Sequence, residues 1–245
     1  MNILLWTYLS EGRKQTFEGK WPTNEDGVFG FEVRGFHFLG VIDGQQSIPT
    51  FEPRVEIPRY LERWIRTKKF SSLNEVHAVT WTALSVLDYQ YSALQSALNQ
   101  TITASLVLLC LAPTNECVIY NAGNVKAMLV RNGEVKTLTE EHTVAMSLRK
   151  QRTITEEDFL NHPKRTILTK FLGSGETLDV SKITCIDDDR IVIATDGIYR
   201  VLSEDEIFET IALTQTPEEA RNLLVQAAAE RQTWDDRTAL IIWVS

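Results

Sequence analysis

The order of strand-like and helix-like segments predicts an α+β fold, a sandwich with antiparallel sheets inside and helices outside. Three observations carry this. Apolar strand runs stand at both ends of the chain. A pair of helical segments separates the first strands from a four-strand meander. Two further helices precede the last strand.

Residues 1–9 read as a strand, being apolar, with no basic stretch before them and no small-residue cleavage site after them. Residues 27–43 read as strand, and 45–58, with three prolines, as a loop. Helical periodicity covers residues 59–70 and 73–100. In the second stretch Leu84, Leu87, Tyr91, Leu94 and Leu98 fall on one face, and Ser72 with Glu75 forms a capping-box pattern at its start. Strands follow at 103–112, 116–121, 125–131 and 134–138. The last two flank Asn132-Gly133, which predicts a type I′ hairpin. Residues 142–162 read as helical, with Thr155 as a cap before Glu156, Glu157 and Asp158. A strand at 191–195 runs through a Gly-containing turn to helices at 203–212 and 217–232, the latter with Pro217 in its first turn. The last strand covers 236–244. No repeat, low-complexity tract or long linker interrupts the chain, so residues 1–245 are expected to form one domain.

The 245 residues are 43% hydrophobic and 24% charged, an ordinary balance for a globular protein with a full core. A formal charge of −8 and the lack of a basic stripe argue against nucleic acid as a partner. No stretch has the length and hydropathy of a membrane span, so no membrane partner is expected. Cys110, Cys117 and Cys185 form no CxxC pair, and Cys110 and Cys185 lie in apolar runs; buried thiols and a cytoplasmic location follow.

Acids mark the strand ends. Asp43 closes an apolar strand and precedes Gly44. Asp196 closes another and precedes Gly197. Asp235 opens the last strand, and Glu25-Asp26 precedes an early one. Singly, each reads as a turn or a solvated strand end. Converging, they would repel strongly unless a cation sat among them, and hard oxygen ligands suit Mg2+ or Mn2+.

Seven segments then occur in the order found in one family. They are Asn24-Glu25-Asp26, Phe38-Leu39-Gly40-Val41-Ile42-Asp43-Gly44, and Tyr120-Asn121-Ala122-Gly123-Asn124-Val125-Lys126-Ala127. Leu138-Thr139-Glu140-Glu141-His142-Thr143 follows, then the run from Ile154 to Gly173, Ala194-Thr195-Asp196-Gly197-Ile198, and Asp235-Asp236-Arg237-Thr238. In these the chain resembles the metal-dependent protein phosphatases, the PPM or type 2C serine/threonine phosphatases, in their compact bacterial form. The resemblance implies a four-layer α/β/β/α sandwich of two antiparallel sheets flanked by helices, with two Mn2+ or Mg2+ ions at one end. It implies Asp43 as the bridge between the ions, Asp196 and Asp235 on one of them, and Glu25 and the Gly44 carbonyl on the other. Asp235 against Asp236 is a matter of register. Two ions about 3.5–4 Å apart would acidify a bridging water for in-line attack on phosphorus.

Some positions depart from the family. Gln45 stands where a His often acts as proton donor. Asn124 replaces an Asp that helps to hold a third ion, so such a site should be weak; Asn keeps the size and removes one charge, which the fold should accept, and restoring Asp should strengthen that site and raise turnover at high metal concentration. Trp21 stands at the spacing of a phosphate-binding Arg, for which Lys20 or Arg13 would substitute. His142 and His162 are expected to serve local backbone, and Trp6, Trp64, Trp81 and Trp243 to pack.

The function implied is metal-dependent hydrolysis of phosphoserine or phosphothreonine in proteins, with Lys20 on the substrate phosphate and a serine/threonine kinase as counterpart. The other reading is a phosphatase-like binding or regulatory module with little or no turnover.

Overall fold

The computed structural model describes residues 4–11, 24–45, 52–231 and 235–244. β1 (Leu4–Glu11) is followed by a hairpin of β2 (Asp26–Val33) and β3 (Phe36–Gln45). Arg34 and Gly35 turn that hairpin with positive φ. Two helices come next, α1 (Pro53–Arg66) and α2 (Leu73–Leu98). The meander consists of β4 (Thr103–Leu111), β5 (Glu116–Ala122), β6 (Lys126–Arg131) and β7 (Glu134–Thr137). Short helices α3 (Val144–Lys150) and α4 (Glu156–Leu160) lead to β8 (Asp179–Thr184) and β9 (Arg190–Ala194). The chain finishes with α5 (Asp196–Tyr199), α6 (Glu204–Leu213), α7 (Pro217–Glu230) and β10 (Arg237–Val244).

The differences from the sequence reading have local causes. The loop expected through residue 58 gives way to helix at Pro53. Pro53 occupies the first turn, where a missing N–H costs nothing. Pro58 lies inside the helix, yet Ile57, Leu61 and Ile65 bury a complete stripe that outweighs one lost backbone bond. At α2 the Ser72 hydroxyl accepts from Glu75 N, while the Glu75 carboxylate takes Ser71 N instead of closing the box on Ser72. The single helix expected over 142–162 is two short ones, parted around Arg152, which has a φ of 57°. Thr155 caps the second with a full capping box. β8 has a mixed, largely polar sequence, DVSKIT, and gave no strand signal; it forms because β5 offers it an edge.

The strands form two antiparallel sheets, ordered β1-β10-β9-β6-β7 and β2-β3-β4-β5-β8. Helices α1 and α2 cover the second sheet, with Ile57, Leu61, Leu84 and Leu87 against Phe38, Ile42, Leu106 and Leu108. The sheets meet through Leu39, Val41, Val107 and Leu109 on one side and Ile191, Ile193, Leu240 and Ile242 on the other. Helices α6 and α7 close the first sheet with Ile207, Ile211, Leu224 and Val225 over Val192, Ala194, Ala239 and Ile241. This is the four-layer α/β/β/α sandwich. No helix of the described residues is long and apolar enough to cross a membrane.

Side chains alternate across a strand, and this alternation places the acids. On β3, Phe38 and Ile42 face the helices, while Leu39 and Val41 face the other sheet. Asp43 continues the inter-sheet row. Ser105 continues the row of Val107 and Leu109, Thr195 that of Ile191 and Ile193, and Asp236 and Thr238 that of Leu240 and Ile242. The polar residues therefore gather where the inter-sheet core ends.

Leu240 is fully buried in that core. Its replacement by Ala is expected to cost about 2–5 kcal/mol, through lost transfer energy and a cavity that two stiff sheets cannot close. Urea unfolding followed by circular dichroism checks this.

Candidate metal centre

Asp26 and Asp43 stand directly opposite each other in the β2–β3 register, and Ser105 faces Asp43 from β4. Both acids are buried. Glu25 enters the site by its backbone: its carbonyl accepts from Gly44 N at 3.3 Å, and its N–H donates to Asp236 Oδ2 at 2.8 Å. That contact explains Gly44, because a Cβ there would lie 2.9 Å from the Glu25 carbonyl oxygen. Asp26 accepts from the Thr195 hydroxyl at 2.9 Å, which ties the two sheets together at their acidic end.

Asp196 opens α5. Its Oδ2 accepts from Asn124 Nδ2 at 2.8 Å and meets Arg200 Nη1 at 2.7 Å, one helical turn on. Asn124 is fully buried. Its side-chain oxygen accepts from Ser105 Oγ at 2.6 Å, and the Tyr199 hydroxyl donates to its carbonyl. The turn that carries Asn124 depends on His142, whose Nδ1 accepts from Gly123 N at 3.0 Å and whose backbone N–H donates to the Gly123 carbonyl at 2.8 Å. The second ring nitrogen meets Asp179 Oδ2 at 2.8 Å. His162 accepts from Lys164 N at 3.1 Å. Both histidines thus hold backbone, as the sequence predicts.

Burial raises the Asp43 carboxyl well above its ordinary range. Asp196, Asp26 and Asp235 add to the rise, and Arg200 offsets part of it. Asp26 is likewise raised, first by burial; hydrogen bonds from Thr238 and Thr195 pull the other way, and Asp236 and Asp196 push it up. Burial lifts Asp196 to about 7, against Arg200, with Asp235 repelling it from within hydrogen-bond reach.

The structure therefore brings Asp43, Asp196 and Asp235 into mutual range, with Glu25 and Gly44 adjoining through Asp236 and β2. It adds Asp26, Asp236, Asn124 and Arg200. Alternation along β2 and β10 was the available signal for Asp26 and Asp236. Arg200 lies one turn after Asp196, a spacing legible only once α5 is known to be helical. Lys20, Arg13 and Trp21 lie outside the described residues. Gln45 ends β3 and accepts from the Thr103 hydroxyl at 3.4 Å. Among the described residues no three of His, Cys, Asp or Glu close into a ready-made cage for an ion, since Asp26, Asp196 and Asp236 each hold a partner of their own. The donor set still fits hard divalent cations: it is all oxygen, buried at Asp43 and Asp196 and half-buried at Glu25 and Asp235, and charged beyond what Arg200 balances.

A cleft of about 990 Å³ adjoins the acids without being lined by them. Arg200 belongs to both, and Arg165, Glu141 and Lys126 line the cleft beside it.

Asn124 is matched to Asp196 in the absence of an ion. Its amide donates to Asp196, and a carboxylate would set two negative oxygens about a hydrogen-bond length apart. Asn124→Asp is expected to lower Tm in chelator near pH 8, from a lost buried hydrogen bond worth about 1–3 kcal/mol plus repulsion. Scanning fluorimetry measures it. Asp43→Asn should do the opposite. An acid whose folded pKa is raised favours folding while protonated, and that contribution is lost as pH rises through the folded value. In chelator, the Tm advantage of Asp43→Asn over the parent should therefore grow from about pH 5 to about pH 8, reaching ~2 °C or more. A difference flat with pH would contradict the repulsion described here.

No family model matches the chain. The serine/threonine phosphatase stp of Listeria monocytogenes is 25% identical over 188 residues, 74% of this chain and 73% of that protein. The serine/threonine phosphatase Stp1 from Staphylococcus aureus superposes with a TM-score of 0.89 at 17% identity, over 99% of this chain and 96% of that one. The catalytic domain of the serine/threonine protein phosphatase PstP, solved with two manganese ions, superposes with a TM-score of 0.79 at 18% identity, over 100% and 99% of the two chains. At those identities the superpositions establish the fold, and the sequence relatives carry the kinship. The chain is thus similar in sequence over 74% of its length, and in fold over its whole length, to bacterial serine/threonine phosphatases of the PPM, or type 2C, kind.

Proposed function

We propose that the protein hydrolyses phosphoserine and phosphothreonine in proteins with two Mn2+ or Mg2+ ions, held by Glu25, Asp43, the Gly44 carbonyl, Asp196 and Asp235. The observation that carries this is the set of acids at one end of the inter-sheet core, where burial and neighbouring carboxylates raise the Asp26, Asp43 and Asp196 carboxyls above their ordinary range. A scaffold without a cation to hold has no use for that repulsion. The activity of the Listeria relative and the two manganese ions of PstP support the same reading.

Bound, such ions supply Lewis acidity, which acidifies water and offsets charge on phosphoryl oxygens. The chain's own residues set the stage. Asp43 stands opposite Asp26 in the β2–β3 register and feels the charges of Asp196 and Asp235, and it would be the carboxylate shared by the two ions. Asp196 and Asp235 lie within hydrogen-bond reach of each other and would hold one of the ions. Gly44 lies against the Glu25 carbonyl, where a Cβ would collide, and its own carbonyl would be a further ligand. The amide of Gln45 has no proton to give at neutral pH, so water protonates the leaving group. Lys20 is assigned to the substrate phosphate on sequence alone.

The cleft beside Arg200 suits a peptide more than a free anion. Its cations are matched by acids, as where Arg149 pairs with Glu156 at 2.6 Å. A serine/threonine kinase that modifies the same substrates is part of this proposal. So are a cytoplasmic location, supported by three free buried thiols, and a single domain over residues 1–245.

Hydrolysis of p-nitrophenyl phosphate and of a phosphothreonine peptide is expected with Mn2+ and not with chelator. Loss of groups that merely orient metal ligands typically costs 10–100-fold, so Asp43→Ala, which removes a ligand, should cost at least ~100-fold. Mn2+ binding without hydrolysis of either substrate would leave the binding-module reading in its place.

A further inference from the structure

One oxygen of Asp196 is doubly occupied. Its Oδ2 meets Arg200 Nη1 at 2.7 Å and accepts from Asn124 Nδ2 at 2.8 Å. Neither donor is free to swing away. Arg200 is also held by its Nη2, which donates to the Arg165 carbonyl at 2.7 Å, and its Nε is buried without a partner among the described residues. Asn124 is fully buried, and Ser105 and Tyr199 bind its two oxygens. A guanidinium keeps its charge at any pH the fold survives. Oδ2 already faces a guanidinium and an amide and is a poor ligand for a further cation, so Asp196 has Oδ1 to offer an ion shared with Asp235, which lies within hydrogen-bond reach.

We propose that Arg200 is a resident cation of the acidic centre: clamped on Asp196 opposite Asn124, it restricts that carboxylate to one ion and limits the centre to two. It acts through Asp196 and is a positioning residue. The inference rests on the two-ion reading above, and it makes a claim of its own about stoichiometry. Positive charge delivered by the chain cannot be removed by chelators or exchanged for another ion, so part of the centre's neutralisation is independent of metal supply.

The test is Mn2+ titration of the full chain by calorimetry, with the bound ratio checked by elemental analysis. The variants are Arg200→Gln, which removes the charge, and Arg200→Lys, which keeps it. The parent protein should bind two ions and Arg200→Lys the same number. Arg200→Gln should bind more than two, and its Tm should rise more steeply with Mn2+ than the parent's. A parent that binds no Mn2+ overturns the two-ion reading itself. A parent and Arg200→Gln that both bind two ions with equal affinity overturn the inference and leave that reading standing. So does Arg200→Lys gaining an ion as Arg200→Gln does, because charge would then not be the cause. Loss of fold in both variants that Mn2+ does not reverse would assign Arg200 to the Arg165 contact instead, and would also overturn it.

Discussion

Asp26 and Asp43 face each other across one β-pair, with Asp196 and Asp235 close by, at the place where two packed sheets stop burying apolar side chains. Desolvation and like charge both work against the ionised forms of these groups. Two strong cores on either side of this end hold the carboxyls there, because strands joined along their whole length cannot separate at one end without losing the inter-sheet rows. Leu39, Val41, Leu240 and Ile242 are therefore as much a part of the site as the acids. A bound cation would relieve that repulsion.

The supports of the acids come from distant parts of the chain. Thr195 on one sheet donates to Asp26 on the other. Asp236 holds Glu25 N across the same gap. His142 pins the Gly123 turn, where a φ of 98° and close contact with Ser105 leave room for glycine alone. A neutral imidazole suits this position, because Nδ1 accepts from Gly123 N and burial lowers the pKa of the ring. The site is thus a set of strand ends and one turn, fixed by side-chain bonds to backbone and to one another.

Asn124 and Arg200 change the charge balance in the same direction. One removes a negative group from beside Asp196, and the other adds a positive one. Arg200 also reaches the Arg165 carbonyl, and Arg165 sits with Glu141 at the rim of the adjoining cleft. The acids and the cleft consequently share one side chain, Arg200.

The sequence by itself determined the order of elements and the strand ends on which the acids sit. Helical period, turn chemistry and strand alternation act over a few residues and are written locally. The type I′ turn at Asn132-Gly133, with φ of 53° and 83°, the Thr155 cap and Pro217 in the first turn of α7 are of this kind. Asp43 and Asp196 were legible because each ends an apolar row. Tertiary structure decided the rest. Pro53 and Pro58 read as loop formers until the buried stripe of α1 overrode them. β8 is a strand because β5 has an edge to pair, which its own residues do not announce. Asp26, Asp236 and Arg200 acquire their roles from sheet register and from the four-residue helix α5, which set them against partners between 4 and 211 positions away. Distances of that kind arise from how the sheets stack, and no local pattern encodes them.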